Sequence, residues 1–220
     1  DKIHFCTYVA YELLNQYFTS NTFLVKKQDF ETTWKYLSDT GSLYINISKH
    51  LILTKADRQS MLDYVSKGNT LFIASEFIDS LLLDSMRCKL ANKFYTNFNE
   101  AKPFQHTSVH VSFDYYDDTS RYGYFYYPML NHFSTIDSSV TTILGKNELE
   151  QANFILFFYG KGRFYFHCEP KTLSNYFLLK NKNYKYLQQV FSFMKNQPEH
   201  VFWDDYYNKK NSSSSNNAKS

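Results

Sequence analysis

Three places in this chain bring together residue types that could do chemistry. Ser75-Glu76 follows the apolar run Asn69–Ser75, and a hydroxyl on the turn leaving a central strand is where α/β hydrolases keep a nucleophile. That elbow requires small residues two positions either side of the serine. Here those positions are Ile73 and Phe77, so Ser75 is not expected to attack anything. His167-Cys168-Glu169 closes the predicted strand Arg163–His167. Neighbours on a strand point to opposite faces, so His167 does not activate Cys168, whereas His167 and Glu169 share a face. That face lies at the carboxyl edge of the sheet, where α/β folds keep their ligands. Gly160-Lys161-Gly162-Arg163 has the look of a phosphate cradle. It lacks the G-x-x-x-x-G-K-[ST] pattern and leads into a strand, so it reads as a hairpin turn carrying two cations. Ser75, Glu76, Gly160, Lys161, His167 and Glu169 are therefore candidate groove residues, and none is assigned a catalytic role.

Tyr115, Tyr116, Tyr122, Tyr124 and Tyr126 crowd one stretch and form a candidate aromatic surface. A phenol pairs a flat apolar body with a polar tip and suits a sugar or a protein partner. Tyr122, Tyr124 and Tyr126 alternate to one face of a strand, Phe125 and Tyr127 to the other, and one of those faces must be core. Asp114, Asp117 and Asp118 lack the spacing and central Gly of a calcium loop, so no metal is expected. Cys6, Cys88 and Cys168 are too far apart for a metal pattern and are expected as buried free thiols, with one bridge and one free thiol left open. No cofactor is expected. A net charge of +3 and acids interspersed with the basic residues argue against nucleic acid.

Positioning these residues requires a particular run of elements. Val9, Leu13, Leu14 and Tyr17 give residues 6–18 an apolar helical face. Thr22–Lys26 is a β-type run, and Asp29 is placed to cap a helix over Phe30–Leu37. Ser42–Ser48 is a strand. Thr54 caps the next helix, Asp57 serves its first turn, and Gly68 ends it. Asn69–Ser75 is apolar on both faces, with a helix expected over Phe77–Met86. Such two-faced strands alternating with helices indicate an α/β fold with a parallel sheet covered by helices. From about 93 to 144 short β runs (Lys93–Phe98, Thr107–Phe113, Tyr122–Tyr127, Val140–Leu144) suggest a β-rich insertion. Asn153–Tyr159 and Arg163–His167 form a hairpin. Thr172–Leu179 and Tyr184–Met194 read as helices and Val201–Trp203 as a short strand. One domain over 1–207 is expected, with 208–220 a flexible polar tail. One residue in five is aromatic, which excludes fibrous and disordered classes.

Several landmarks share an order and spacing: Thr7-Tyr8-Val9 with Tyr11-Glu12-Leu13-Leu14; Val65–Ala74; Gly160-Lys161-Gly162 with Pro170 and Asn175–Leu179; and Trp203-Asp204-Asp205-Tyr206-Tyr207. Together they resemble the DUF4350 family of membrane-anchored Bacteroidetes proteins. His4-Phe5-Cys6 departs from that pattern, which has Pro-Tyr-Gly there. The resemblance implies a flavodoxin-like, class I glutamine-amidotransferase-like three-layer sandwich. It also implies a periplasmic ectodomain with transmembrane anchors outside this segment. An amidotransferase needs Cys on the turn after the central strand, where this chain has Ser75-Glu76. The expected function is thus a non-catalytic periplasmic domain that binds a protein partner of a membrane complex or a small ligand. The alternatives are a degenerate amidotransferase-like hydrolase and a glycan-binding module built on the tyrosines.

Overall fold

Helix caps and strand patterns punctuate the chain much as the sequence suggests. The computed structural model describes residues 7–18, 22–35, 40–92, 102–104, 106–111, 120–125, 128–194 and 198–209. In chain order the elements are α1 (Tyr8–Tyr17), β1 (Thr22–Lys26), α2 (Phe30–Trp34), β2 (Leu43–Leu51), α3 (Lys55–Ser66), β3 (Thr70–Ile78), α4 (Ser80–Ser85), β4 (Lys89–Ala91), β5 (Ser108–Val111), β6 (Tyr122–Gly123), β7 (His132–Thr135), β8 (Thr141–Asn147), β9 (Ala152–Tyr159), β10 (Gly162–His167), α5 (Asn175–Leu178), α6 (Tyr184–Ser192) and β11 (His200–Asp204). Asp29 caps α2 by accepting from the Thr32 backbone N–H at 2.8 Å. Thr54 and Asp57 form a reciprocal capping box at the start of α3, with Asp57 N–H donating to Thr54 Oγ1 at 3.0 Å. Gly68 ends α3 at φ +110°, the left-handed conformation expected there.

The strands assemble into a nine-stranded sheet in the order β1-β11-β2-β3-β10-β9-β8-β5-β6. From β1 to β10 every neighbouring pair is parallel, and from β10 to β6 every pair is antiparallel. The result is a mixed α/β fold whose large sheet is mainly parallel. Successive residues of β3 alternate between two cores: Phe72 and Ala74 into one, Leu71 and Ile73 into the other. The first core also takes Ala10 and Leu14 of α1, Phe177 of α5, and Leu187 and Val190 of α6. The second takes Phe30 of α2, Met61 and Val65 of α3, and Leu82 and Leu83 of α4. Helices therefore cover both faces, as strands apolar on both sides require.

Three expectations are corrected. β3 does not stop at Ser75. β2 continues beside it, pairing Ser48 with Ser75 and His50 with Phe77, so the backbone keeps a partner as far as Ile78. The following helix starts at Ser80, capped by Asp79. The helix expected over Thr172–Leu179 is broken. Pro170–Leu173 is a 3-10 turn, and Ser174, extended at ψ 156°, caps α5. Within 93–144, β5, β6 and β8 extend the main sheet, while β4 and β7 pair with each other. The strand expected over Val201–Trp203 is present as β11 and lies inside the sheet, between β1 and β2. The expected strand Lys93–Phe98, most of the tail and Cys6 lie outside the described residues. Cys88 and Cys168 are free and buried, as expected.

Candidate functional site

Buried polar groups gather at the carboxyl edge of β3 and β10. His167 ends β10 opposite Ala74 of β3, and Ser75 and Glu76 follow on β3. Ser75 is wholly buried, and its hydroxyl lies 3.1 Å from both the Lys49 and Phe77 carbonyl oxygens, to which its single proton is directed. Ser75 faces the same side of the sheet as Ile73, whereas His167 faces the same side as Tyr165. The sheet thus separates the candidate nucleophile from the candidate base.

His167 is sealed as well. The Glu169 backbone N–H donates to Nδ1 at 3.1 Å, so the neutral ring carries its proton on Nε2. Nε2 lies 2.7 Å from Tyr186 Oη and donates to it. The ring packs against Phe154, with centroids 5.4 Å apart. Burial alone pushes the imidazole pKa down to about 3, so it stays neutral at physiological pH.

Glu169 has the opposite response to the same burial. Its carboxyl is pushed up to about 8, chiefly by desolvation and additionally by the Glu76 charge; Lys171 and the Asn131 N–H act to lower it. Oε1 accepts from the Asn131 N–H at 2.8 Å, while Oε2 has no hydrogen-bond partner among the described residues. The Glu169 carbonyl accepts from Thr172 Oγ1 at 2.7 Å. Glu76 reaches the rim of the cluster, where Lys171 Nζ lies 2.7 Å from its Oε1. The edge therefore holds one proton on a buried carboxyl and one exposed-side ion pair, and the carboxyl clasps the 129–131 segment to the end of β10.

Gly160 and Lys161 do not join this group. They form the two-residue loop of the β9–β10 hairpin, at the amino edge of the parallel strands. Gly160 has φ +58° at the first loop position, as a type II′ turn requires. A Cβ on Gly160 would lie 2.7 Å from Ser66 Cα, and one on Gly162 would lie 2.2 Å from both the Asn69 and Val65 carbonyl oxygens. The glycines let the hairpin press against the end of α3, where the Lys161 N–H donates to the Ser66 carbonyl at 3.0 Å. This glycine pair is a packing device.

Of the five tyrosines of the candidate aromatic surface, two are described. Tyr122 is buried, with its ring 5.6 Å from that of Tyr186, and Tyr124 packs half-buried on the same core. Tyr115, Tyr116 and Tyr126 lie outside the described residues. Sequence reasoning missed the partners that close the carboxyl edge: Asn131, Lys171 and Tyr186. It also missed Asp204, which accepts from Asn46 Nδ2 and from the Tyr206 N–H at 2.7 Å. Burial pushes the Asp204 carboxyl up to about 7. The Trp203–Tyr207 run contained that signal, since an acid two residues before a tyrosine pair can form an Asx turn. Among the described residues, no group of His, Cys, Asp and Glu is arranged to hold a metal.

The fold and edge chemistry are those of a mixed α/β domain. The match to the family model "Domain of unknown function (DUF4350)" covers residues 8–191, and the chain belongs to that family. Among solved structures it is similar to the mmIFT52 N-terminal domain, with a TM-score of 0.63 and 15% identity over 89% of this chain and 94% of that one. That likeness is one of fold. A cytoplasmic protein from Salmonella typhimurium LT2 matches with a TM-score of 0.46 and 12% identity over 78% of each chain. A GH42 β-galactosidase from G. stearothermophilus matches with a TM-score of 0.40 and 13% identity, over 72% of this chain and 22% of that one. No curated protein matches the sequence.

Proposed function

We propose that this chain is a non-catalytic binding domain whose frame is glutamine-amidotransferase-like, serving a protein partner or a small ligand. The observation that carries this reading is the sealing of three candidate catalytic groups on the carboxyl edge, with Glu76 at the rim tied up by Lys171. Ser75, His167 and Glu169 are wholly buried, and each is engaged inside the protein. A nucleophile must be reachable by substrate and within hydrogen-bond distance of a base, and Ser75 meets neither condition. Placement on the periplasmic side of a membrane-anchored protein is part of the proposal and is supported by the family resemblance. No helix among the described residues is long and apolar enough to cross a membrane.

The test is affinity capture from the native membrane fraction, using the domain as bait, beside amidase and esterase assays on the purified domain. Recovery of a saturable partner without hydrolysis is the expected result. Turnover abolished by Ser75→Ala or Glu76→Gln would overturn it.

A further inference from the structure

At the opposite, amino edge of the sheet lies a cavity of about 220 Å³. Its floor is the in-register row Leu43, Thr70 and Arg163 on β2, β3 and β10. Gly68 and Lys161 form part of the rim, and Met194, just beyond α6, walls one side. We infer that this cavity binds a small ligand through an oxyanion group, phosphate or carboxylate, held by Arg163 and Lys161. This deepens the binding reading above by naming a ligand class.

Three observations support it. First, among the described residues neither Arg163 nor Lys161 forms a salt bridge, so two cations line one cavity without an acidic partner. Second, Arg163 is held in place. Its guanidinium stands 5.5 Å from the centroid of the Phe158 ring and beside the Tyr165 phenol, whose hydroxyl donates to the Phe193 carbonyl at 3.0 Å. An arginine steadied by an aromatic face keeps its fork of donors ready for an oxyanion and loses less entropy on binding one. Third, the carbonyls that end α3 are already occupied. Those of Asp63, Tyr64, Val65 and Ser66 accept from Lys67 N–H, Asn69 Nδ2, Gly68 N–H and Lys161 N–H respectively. These acceptors would otherwise compete for the two cations or repel an anion. Glu199 is an exposed acid next to this rim, where its backbone N–H donates to the Gly41 carbonyl at 3.0 Å; among the described residues its carboxylate forms no salt bridge with Arg163 or Lys161. The volume suits a phosphate or a small organic acid; it does not suit a nucleotide.

Inorganic phosphate and citrate are the probes, each titrated into the whole chain by calorimetry and by amide-resolved NMR, with chloride at matched ionic strength as control. The expected result is saturable binding of at least one probe, with the Gly68 and Lys161 amides shifting. Charge-assisted hydrogen bonds are worth enough that Arg163→Gln is expected to weaken it about tenfold or more. Arg163→Lys is expected to restore only part of the loss, because it lacks the fork. Lys161→Gln, at an exposed position, is expected to weaken binding about threefold. Absence of saturation with both probes, or shifts no larger than those with chloride, would overturn the inference. So would wild-type affinity in Arg163→Gln. If that variant fails to fold, unchanged affinity in Lys161→Gln decides the matter against it. Anion binding without partner capture would leave the inference standing and remove a protein partner from the proposed function.

Discussion

Replacing Glu169 by Gln offers a direct measurement of what burial does at the carboxyl edge. The Gln side-chain oxygen can still accept from the Asn131 N–H, so the clasp on the 129–131 segment is kept while the titration is removed. In the folded protein the Glu169 carboxyl titrates near 8, above its ordinary value of 4.5, because burial disfavours the charge. The native state therefore holds a proton that the unfolded chain has released. The stability this confers is full below pH 4.5 and is lost as pH rises through 8. Between pH 5 and 8, at about 1.36 kcal/mol per pH unit less the half-titration at the upper end, the loss is about 3–4 kcal/mol. Asp204, raised to about 7, declines over the same window. His167, lowered to about 3, works the other way, adding stability as pH climbs toward 6.5. The informative quantity is thus the difference between wild type and variant. Urea unfolding at half-unit steps from pH 5 to 8 should show the wild type losing about 3–4 kcal/mol more than Glu169→Gln across the window. Profiles that run parallel, separated only by a constant offset, would refute the reasoning and show Glu169 titrating normally.

Two further outcomes are expected. Gly162→Ala places a methyl group 2.2 Å from two backbone oxygens, that of Val65 in the last turn of α3 and that of Asn69, which accepts from the Arg163 N–H, and neither can move without losing a hydrogen bond, so it should destabilise by about 3 kcal/mol or prevent soluble expression, read by thermal melting. Cys88 and Cys168 are buried, and burial pushes both thiols up, so peptide mapping after iodoacetamide should find them unlabelled in the native protein and labelled in denaturant.

Local chemistry made the parallel half of the fold legible in the sequence. Asp29, Thr54 with Asp57, and Gly68 announce helix ends because their side chains or backbone must satisfy groups within a few residues. The β9–β10 hairpin is equally local, set by Gly160 at a position needing positive φ. What sequence did not disclose depends on distant partners. The extension of β3 through Ser75 and Glu76 is imposed by β2, some 26 residues earlier, as the Ser75 hydrogen bond to the Lys49 carbonyl illustrates. The end of the run Arg163–His167 marks the carboxyl edge where His167 sits, and only the strand order shows Gly160 and Lys161 at the other. The closure of the carboxyl edge was beyond local reading, since Asn131 and Tyr186 reach Glu169 and His167 across 38 and 19 residues. Arg163 read as a turn cation, and only the shared register of β2, β3 and β10 shows it flooring a cavity.

The position of β11 has a consequence for how the chain is made. It is the last of the described strands in sequence, yet it sits between β1 and β2, two of the first. Until residues 200–204 have left the ribosome, β1 has no neighbour to hydrogen-bond, and one side of β2 stays open. Most of these elements can then collapse early, but β1 joins the sheet only after synthesis has passed residue 204, a long-range pairing of the kind that folds slowly. The matched family segment ends at residue 191. A recombinant fragment trimmed there would lack the strand joining β1 to the sheet and would expose two hydrogen-bonding edges ready to pair with other chains.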